Sequence, residues 1–505
     1  MPRAIAPVEY PDMQGLVRFG HGRLEDACYL LVRVVDRDAA KAWLRAAPVT
    51  TAEAVDPVPD TALQVALTPA GLLAMGVAEA AVAGFSDEFR DGMAGDPNRS
   101  RRLGDVGPDA PPRWYWGKAD AEAHLLLMLF AQKGRLDAWE SAVKGPAWAA
   151  AFAELHRLDT NDIGEVEPFG YADGVSQPDI DWQQELVLDR REVPAFRNVM
   201  ALGELLLGYV DEYGLYTDRP LLDVALDPAA GVLPPAEENP HRFDLGRNGT
   251  YLVVRQLEQD VRGFWQFLDC STGGDTARRN ALGAAMVGRH RNGDPLLPRH
   301  PQPIPGIGPK PRELEANAFL YDDDPDGTRC PFGAHIRRAN PRTGDLPGGE
   351  QGFVSWALRT LGFKRPHFRD DMIASTRFHR LVRRGREYGP LLTPEDALGP
   401  ASTPEPERGL HFICLCANIS RQFEFVQNAW IASAKFDGLG EEADPLLGNR
   451  EPLLGGGPTD RFSIPRADGP PRRLESLPRF VTVRGGGYFF LPGLRALRYI
   501  AEAGQ

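Results

Sequence analysis

Short runs of branched apolar residues, each followed by a segment with helical spacing, recur along both halves of this 505-residue chain. Such runs favour strands, and apolar residues three and four positions apart favour helices. In the first half the predicted strands are residues 28–36, 63–68 and 124–132, and the predicted helices are 37–47, 69–77 after Thr68, and 135–158 with a break at Gly145-Pro146. In the second half the predicted strands are 249–257 and 409–419, and the predicted helices are 258–268 and 420–434, with Ser420 as its N-cap.

One stretch rich in proline and polar residues, 226–242, shows no such pattern. We place the domain boundary there, with one domain at residues 1–240 and a second at 241–505. Because both halves carry strands joined through helices, the sequence predicts two related α+β units, each a sheet covered by helices. The halves are similar in pattern rather than in letters, so they are not a sequence repeat.

Charge and cysteine content exclude some classes of protein. The formal net charge is -13 and no basic stripe is present, so we expect no nucleic-acid partner. Five cysteines are too few for a disulfide framework, and their odd number fits a reducing compartment. The start of the chain lacks a signal-peptide pattern, and the apolar run at 124–131 is too short to span a bilayer. We therefore expect a soluble, cytoplasmic protein with no membrane partner.

One of the ten histidines has unusual surroundings. His335 lies in the segment CPFGAHIRRANPR, where apolar residues flank it and arginines follow. A heme needs an apolar slot, one nitrogen ligand for its iron and cations for its two propionates, and this segment offers all three. The same composition also fits an ordinary structural histidine. No histidine or cysteine spacing typical of zinc sites occurs. The arginines of this segment are Arg337, Arg338 and Arg342.

Two further segments place charged side chains next to glycines. The segment EPFGYADGVSQPDI contains Gly170-x-x-Asp173-Gly174, a tight turn that presents a carboxylate. An ordinary Asp-Gly turn is the alternative interpretation. The segment HRLVRRGREYG clusters several arginines before Gly389, and a solvated basic loop is its alternative interpretation. These arginines are Arg383, Arg384 and Arg386.

Together and in this order, the three segments resemble signatures of the dye-decolorizing peroxidases, a family of heme enzymes. Other stretches are similar to the same family, among them QGLVRFG, LQVALTPAGLLAMGV, ISRQFEFVQNAWI and GGGYFFLPGL, so that the resemblance covers roughly residues 14–497. The glycine-bounded aspartate turn is a weak signal, the histidine block is a strong one, and their joint order is stronger. The resemblance implies two ferredoxin-like domains, with antiparallel sheets covered by helices, in the dimeric α+β barrel-like fold of this family.

By position, the resemblance places the iron ligand at His335, the distal aspartate at Asp173 and the distal arginine at Arg383. Arg384 is the alternative if the register differs by one residue. The implied cofactor is heme b, iron protoporphyrin IX, with His335, Arg338 and Arg383 as its binding residues. The implied activity is oxidation of dyes, phenols and other organic reductants by hydrogen peroxide, in one-electron steps. A homo-oligomer is compatible with this assignment.

Within that activity, Asp173 would move a proton between the two peroxide oxygens, and Arg383 would stabilise the negative charge that develops on one of them. A carboxylate on the far nitrogen of the iron ligand would make that ligand a stronger donor. Glu424 is the candidate, with an exposed helix carboxylate as the alternative. Bulky reductants would need an aromatic relay near the surface, for which Tyr388 is the candidate. The family often has Asn or Ser two residues after the distal arginine, where this chain has Gly385.

Two other functions are weighed against a peroxidase. A heme carrier or sensor would use His335 but would need neither Asp173 nor Arg383, so the presence of both favours the enzyme. A hydrolase or dehydrogenase without heme has little support, because the glycine runs 455–458 and 484–490 lack phosphate-loop spacing and no nucleophile elbow is present. The insertion between His335 and Arg383, which includes residues 348–368, has no assigned role; access to heme and a subunit contact are the two interpretations left open.

Overall fold

The computed structural model describes residues 7–118, 122–188, 196–343, 375–452 and 456–504. A sheet of nine strands organises this part of the chain. Its strands are β1 (Asp26–Val34), β2 (Thr61–Leu67), β3 (Leu125–Ala131), β4 (Phe152–Asp159), β5 (Thr250–Gln259), β6 (Val382–Arg383), β7 (Arg386–Tyr388), β8 (Gly409–Cys416) and β9 (Val481–Leu491). Three two-stranded sheets pair Asp179–Asp181 with Val199–Ala201, Leu221–Leu222 with Phe243–Asp244, and Phe462–Ile464 with Arg472–Leu474.

Helices cover the sheet and fill its connections. The principal ones are α1 (Arg37–Ala46), α2 (Leu136–Lys144), α3 (Val261–Thr272), α4 (Thr276–Val287), α5 (His335–Ala339) and α6 (Leu494–Glu502). Shorter α-helices are Leu16–Phe19, Pro69–Ala74, Glu79–Val82, Asp87–Asp91, Pro97–Leu103, Trp148–Ala151, Glu185–Leu188, Leu202–Leu205, Pro311–Asn317 and Pro394–Ala397. The 3-10 helices are Tyr10–Asp12, Gly107–Asp109, Pro111–Arg113, Pro228–Val232, Tyr321–Asp323, Ser375–Phe378 and Phe436–Gly438. A π-helix occupies Ser420–Glu424 and Val426–Ile431.

The two halves of the chain repeat one strand order. In the first half the order across the sheet is β2-β3-β1-β4, and in the second it is β6-β8-β5-β9, with β7 also paired to β8. Each half therefore has the strand order of a ferredoxin-like unit. The pairings within the large sheet are antiparallel. The predicted α+β fold with two ferredoxin-like units is confirmed. Its dimeric form and the boundary at residues 240 and 241 stay predictions.

The halves join into one sheet where Phe490 of β9 pairs with Leu67 of β2. The central strand β3 is buried at each of its residues, because helices and loops cover both faces of the sheet. This double coverage explains why β3 reads as an unbroken apolar run rather than as an alternation. The long connection after α4 carries α5, and this connection brings His335 to the sheet of the second half.

The predicted helix at 135–158 is partly wrong. After α2 the chain forms a short helix, Trp148–Ala151, and then enters β4. The expected break is present at Gly145, whose φ of 57° suits glycine. β4 is an edge strand with several half-exposed polar residues, so its sequence lacks the apolar run that marks a central strand. Pairing with β1, rather than local propensity, decides its conformation.

Two predicted helix starts have different outcomes. Thr68 caps its helix as predicted, because its Oγ1 accepts a hydrogen bond of 3.0 Å from the backbone N–H of Gly71. Ser420 is not a side-chain N-cap, and the prediction for it is wrong. The Oδ1 of Asn418 accepts from the N–H of Arg421 at 2.8 Å instead.

Three further findings bear on the sequence predictions. All five cysteines lie in the described ranges, and each is a free thiol. Across those same ranges, no helix has both the length and the apolar character that a bilayer crossing would require. Most of the insertion between His335 and Arg383, from residue 344 to residue 374, falls outside the described residues.

Candidate active site

A cavity of about 340 Å³ lies against the sheet of the second half. Alternate residues of its strands face the cavity, because side chains on a strand alternate between the two faces. Helices α4 and α5 and the π-helix enclose it. The three segments singled out in the sequence all contribute to its wall. Its apolar lining includes Leu257, Leu410, Phe412, Val287, Ile336, Phe423, Val426 and Trp430.

His335 lies at the first residue of α5 and lines the cavity. Its Nδ1 is 2.9 Å from Oδ2 of Asp444, which is fully buried. The other carboxylate oxygen of Asp444 accepts from the backbone N–H groups of Leu446 and Leu447, each at 2.8 Å. Loss of solvent lowers the pKa of His335, but the charge and hydrogen bond of Asp444 outweigh this effect and raise it. Because Nδ1 is engaged, Nε2 is the ring nitrogen available to a metal.

Asp444 has the place that the sequence analysis gave to Glu424, and that expectation is wrong. The Oε1 of Glu424 accepts from the Tyr488 hydroxyl at 2.9 Å and pairs with Nε of Arg99, also at 2.9 Å. It is therefore committed to a buried ion pair away from His335. Asp444 is far from His335 in the sequence. Its only local feature there is the proline that follows it, Pro445, which does not indicate a partner for a histidine.

We expect Asp444→Asn to lower the affinity for heme by about 10-fold to 100-fold, the usual effect of removing such a partner. The neutral amide can keep the bonds to the two backbone N–H groups, but it no longer favours the tautomer with a free Nε2. The measurement is a titration with heme followed by absorption. Glu424→Gln is the matched control and should bind heme like the wild type. Equal affinities for both variants would contradict the role assigned to Asp444.

Asp173 and Arg383 meet at the cavity wall. The Nη1 of Arg383 donates to Oδ1 of Asp173 at 3.2 Å, and its Nη2 donates to the carbonyl of Ser176 at 3.0 Å. The side chain of Gln177 bonds both the N–H and the carbonyl of Arg383, each at 3.1 Å. These hydrogen bonds join the loop at residues 173–177 to β6, next to the ion pair.

The structure brings Arg383, rather than Arg384, to the cavity. The guanidinium of Arg384 turns away and donates to the carbonyls of Leu16 and Val17 at 2.8 and 3.0 Å. Successive residues of an extended segment point to opposite sides, which separates the two arginines. A Cβ at Gly385 would lie 2.7 Å from the carbonyl oxygen of His411, so the backbone leaves no room for a side chain there.

Arg338 does not line the cavity, and its expected role in binding the cofactor is a further correction. Arg338 belongs to α5, and its side chain is fully buried. Its guanidinium donates to backbone carbonyls of the surrounding loops, including those of Gly333, Trp430 and Ser433 at 3.2, 2.9 and 2.9 Å. Arg338 therefore holds the wall in place instead of contacting a ligand.

Two other buried arginines line the cavity without an ion-pair partner among the described residues, Arg289 and Arg342. Burial lowers the pKa of Arg289 to about 10 and that of Arg342 to about 9. The guanidinium of Arg342 donates to the carbonyls of Asn317 and Phe319 at 2.6 Å, while its Nε is buried with no acceptor. A buried positive charge without a counter-ion is costly, so this end of the cavity suits an anionic ligand.

These features fit heme. The cavity offers an apolar wall and an imidazole, His335, whose Nδ1 is bonded to a buried carboxylate. It also offers guanidinium groups, Arg289 and Arg342 among them, that have no ion-pair partner among the described residues and suit carboxylates such as the propionates. Of the residues that form this site, His335, Asp173 and Arg383 lie in motifs that predict them, whereas Arg289 and Asp444 do not. Neither lies in a recognisable motif, and only the tertiary fold brings them to the cavity.

Comparison with known proteins gives relatives along most of the chain, although no family model matches it. A dye-decolorizing peroxidase of Mycena epipterygia is 29% identical over 493 residues, which cover 90% of this chain and 79% of the relative. The dye-decolorizing peroxidase msp1 of Mycetinis scorodonius is 28% identical over 470 residues, covering 88% and 78%. A multifunctional dye peroxidase of Amycolatopsis is 33% identical over 261 residues, covering 50% and 48%.

Solved structures share the fold. The crystal structure of a fungal DyP-type peroxidase from Auricularia auricula-judae superposes with a TM-score of 0.71 at 24% identity, over 99% of this chain and 100% of that one. The fold therefore defines a protein of the α+β class built from two ferredoxin-like units. The relatives show that the chain is similar to dye-decolorizing peroxidases along most of its length, and the solved structure shows that it shares their fold.

Proposed function

We propose that this protein is a heme peroxidase that uses hydrogen peroxide to oxidise dyes, phenols and related organic reductants in one-electron steps. One observation carries the proposal. A single cavity brings together His335 with its buried carboxylate partner and the ion pair of Asp173 with Arg383, from separate parts of the wall. The names of the relatives support it, as does a solved structure with the same fold that holds 2,6-dimethoxyphenol.

Heme b is the proposed cofactor. His335 would bind the iron through Nε2, Arg289 and Arg342 would pair with the propionates, and the apolar wall would pack against the macrocycle. When bound, the heme supplies the iron that takes up the oxidising equivalents of the peroxide. Asp444 keeps His335 in the tautomer and orientation that this binding needs.

The ion pair of Asp173 and Arg383 would act on the proton and the developing charge of a peroxide molecule in the cavity. Asp173 accepts the proton of one oxygen and returns it to the departing one, which is the work of a positioned general base. Arg383 stabilises the negative charge that develops on the departing oxygen. Because Ser176 and Gln177 fix Arg383 beforehand, the guanidinium needs little reorganisation during the reaction.

Bulky reductants would deliver electrons through surface aromatic residues. Tyr388, the candidate named from the sequence, is itself buried, and its hydroxyl donates to Oε1 of Glu407 at 3.0 Å. The exposed Tyr115 donates to the other oxygen of Glu407, also at 3.0 Å. In this proposal Tyr115 is the exposed member of the relay. The cytoplasm is the proposed compartment, and the five free thiols support a reducing environment.

The test is a steady-state assay of the heme-loaded protein with hydrogen peroxide and an anthraquinone dye. A peroxidase should decolorise many equivalents of dye per heme, and the rate should depend on peroxide. A heme carrier or sensor, the alternative function, would bind heme through His335 and turn over slowly. Heme binding without sustained turnover would contradict the proposal and favour that alternative.

A further inference from the structure

The turn that carries Asp173 is braced from inside by another carboxylate, Glu167. Its Oε2 accepts from the backbone N–H of Phe169 at 2.9 Å, and its Oε1 accepts from the N–H of Tyr171 at 3.0 Å. The side chain of Gln259, on β5, donates to Oε2 of Glu167 at 2.8 Å. The turn is therefore tied to the sheet of the second half through one carboxylate.

The backbone of Glu167 closes the same turn. Its N–H donates to the carbonyl of Tyr171 at 2.9 Å, and its carbonyl accepts from Gly170 at 2.7 Å. Gly170 has a φ of 90°, a conformation that favours glycine at this tight bend. The bonds from Glu167 to Phe169, Gly170 and Tyr171 involve residues that precede Asp173 by two to six positions. They therefore fix the direction in which the chain reaches that aspartate.

Asp173 itself has few attachments. Its backbone N–H donates to the carbonyl of Glu165 at 3.2 Å. Its Oδ1 accepts from the N–H of the next residue, Gly174, at 2.6 Å and from Nη1 of Arg383 at 3.2 Å. About a third of each side chain in that ion pair is exposed, so the pair alone holds Asp173 weakly. The position of the Asp173 carboxylate therefore follows the course of the turn. Glu167 braces that turn together with two other bonds, from Nε1 of Trp265 to the carbonyl of Phe169 at 3.1 Å and from the N–H of Ala172 to the carbonyl of Arg291 at 2.9 Å.

The surroundings of Glu167 make it unusual among the carboxylates of the described ranges. It lines the cavity and has no ion pair with a cation there, so N–H donors alone compensate its charge. Burial raises its pKa to about 7, although the bonds from Phe169, Gln259 and Tyr171 act in the other direction. Burial of a carboxylate without a cation lowers the stability of the folded protein. Here the same carboxylate holds the turn in one conformation.

We infer that Glu167 is a positioning residue for the reaction with peroxide, which sets the place of the Asp173 carboxylate through the turn at residues 169–173. The inference rests on the proposed function. Glu167 does not touch the reacting oxygens and acts only through Asp173. Misplacement of a catalytic group by about 1 Å can cost on the order of 100-fold in rate, so a brace of this kind matters.

The first test is Glu167→Gln in the heme-loaded protein, mixed rapidly with hydrogen peroxide. Glutamine presents one oxygen and one NH2 group to two backbone N–H groups, so either Phe169 or Tyr171 loses its acceptor. We expect the first change of the heme spectrum to slow by between about 10-fold and 100-fold. Heme occupancy and the KM for the dye should stay at the wild-type values, which a general loss of structure would not allow.

Glu165→Gln is the matched control on the same loop. The Glu165 side chain is exposed, and Arg312, its ion-pair partner in the described part of the chain, is exposed as well, so this variant should react with peroxide at the wild-type rate. If Glu167→Gln fails to bind heme, Gln259→Leu replaces it, because it removes only the sheet-side bond to Glu167. That variant should bind heme normally and react several-fold more slowly, and a wild-type rate would overturn the inference.

A double-mutant comparison separates this inference from the proposed function. Because Glu167 acts through Asp173, adding Glu167→Gln to Asp173→Ala should cause no further slowing. A further slowing of the full size seen in the single variant would overturn the inference, and so would a wild-type rate for Glu167→Gln. If Asp173→Ala alone reacts at the wild-type rate, the proposed function fails instead.

Discussion

Replacing His335 by alanine is expected to leave the protein without stably bound heme. Of the two imidazoles that the described residues place in the cavity, His335 is the one whose Nδ1 is bonded to a buried carboxylate, Asp444. Without it, the iron has no protein ligand on that side, and the propionate contacts must hold the cofactor alone. Heme occupancy and the intensity of the Soret band, measured after loading and gel filtration, should fall to a small fraction of the wild-type values.

His379→Ala is the control for this result, because His379 also lines the cavity. Its Nδ1 is bonded to the carbonyl of Arg421 and its ring stacks on Phe425 with centroids 3.6 Å apart. Burial lowers its pKa to about 4, and none of the described carboxylates is bonded to its ring. We expect this variant to keep its heme. Full heme occupancy in His335→Ala, with loss in His379→Ala, would show that the wrong imidazole was assigned.

Replacing Asp173 by alanine or Arg383 by leucine should leave heme bound and slow its reaction with peroxide. Loss of a general base typically costs about 10²-fold to 10⁴-fold, and loss of a preorganised charge donor costs about 10²-fold to 10³-fold. Rapid mixing of the heme-loaded variants with peroxide measures this step directly. The change belongs to this step rather than to oxidation of the dye, since neither side chain is assigned a role in the latter.

Arg384→Leu is the neighbouring control. Its guanidinium bonds the carbonyls of Leu16 and Val17, outside the cavity, so its rate with peroxide should equal that of the wild type. The proposed roles would be wrong if Asp173→Ala and Arg383→Leu both reacted with peroxide as fast as the wild type. If only Arg384→Leu reacted slowly, the role assigned to Arg383 would belong to Arg384.

The sequence predicted the residues whose chemistry lies within one contiguous motif. His335, Asp173 and Arg383 each stand in a short segment with its own pattern, and the structure brings all three to one cavity. Asp444 and Arg289 could not be found in this way. They reach the site through tertiary contacts between segments that are far apart in the sequence. Arg338 was misassigned, since a sequence does not distinguish a guanidinium that bonds buried carbonyls from one that faces a ligand.

The same division applies to the fold. Strands in the middle of the sheet, such as β3 and β5, were predicted because burial on both faces demands a continuous apolar run. The edge strand β4 was assigned to a helix, because its half-exposed side chains carry no such run. β9 includes three consecutive glycines, which have low strand propensity, and its pairing with β5 is a tertiary effect.

A crystal structure of the heme-loaded protein tests the account most directly, because it locates the iron. We expect the iron to be bound by Nε2 of His335, the propionates to face Arg289 and Arg342, and Asp173 and Arg383 to lie on the other side of the macrocycle. Iron bound to His379, or a heme outside this cavity, would contradict the account.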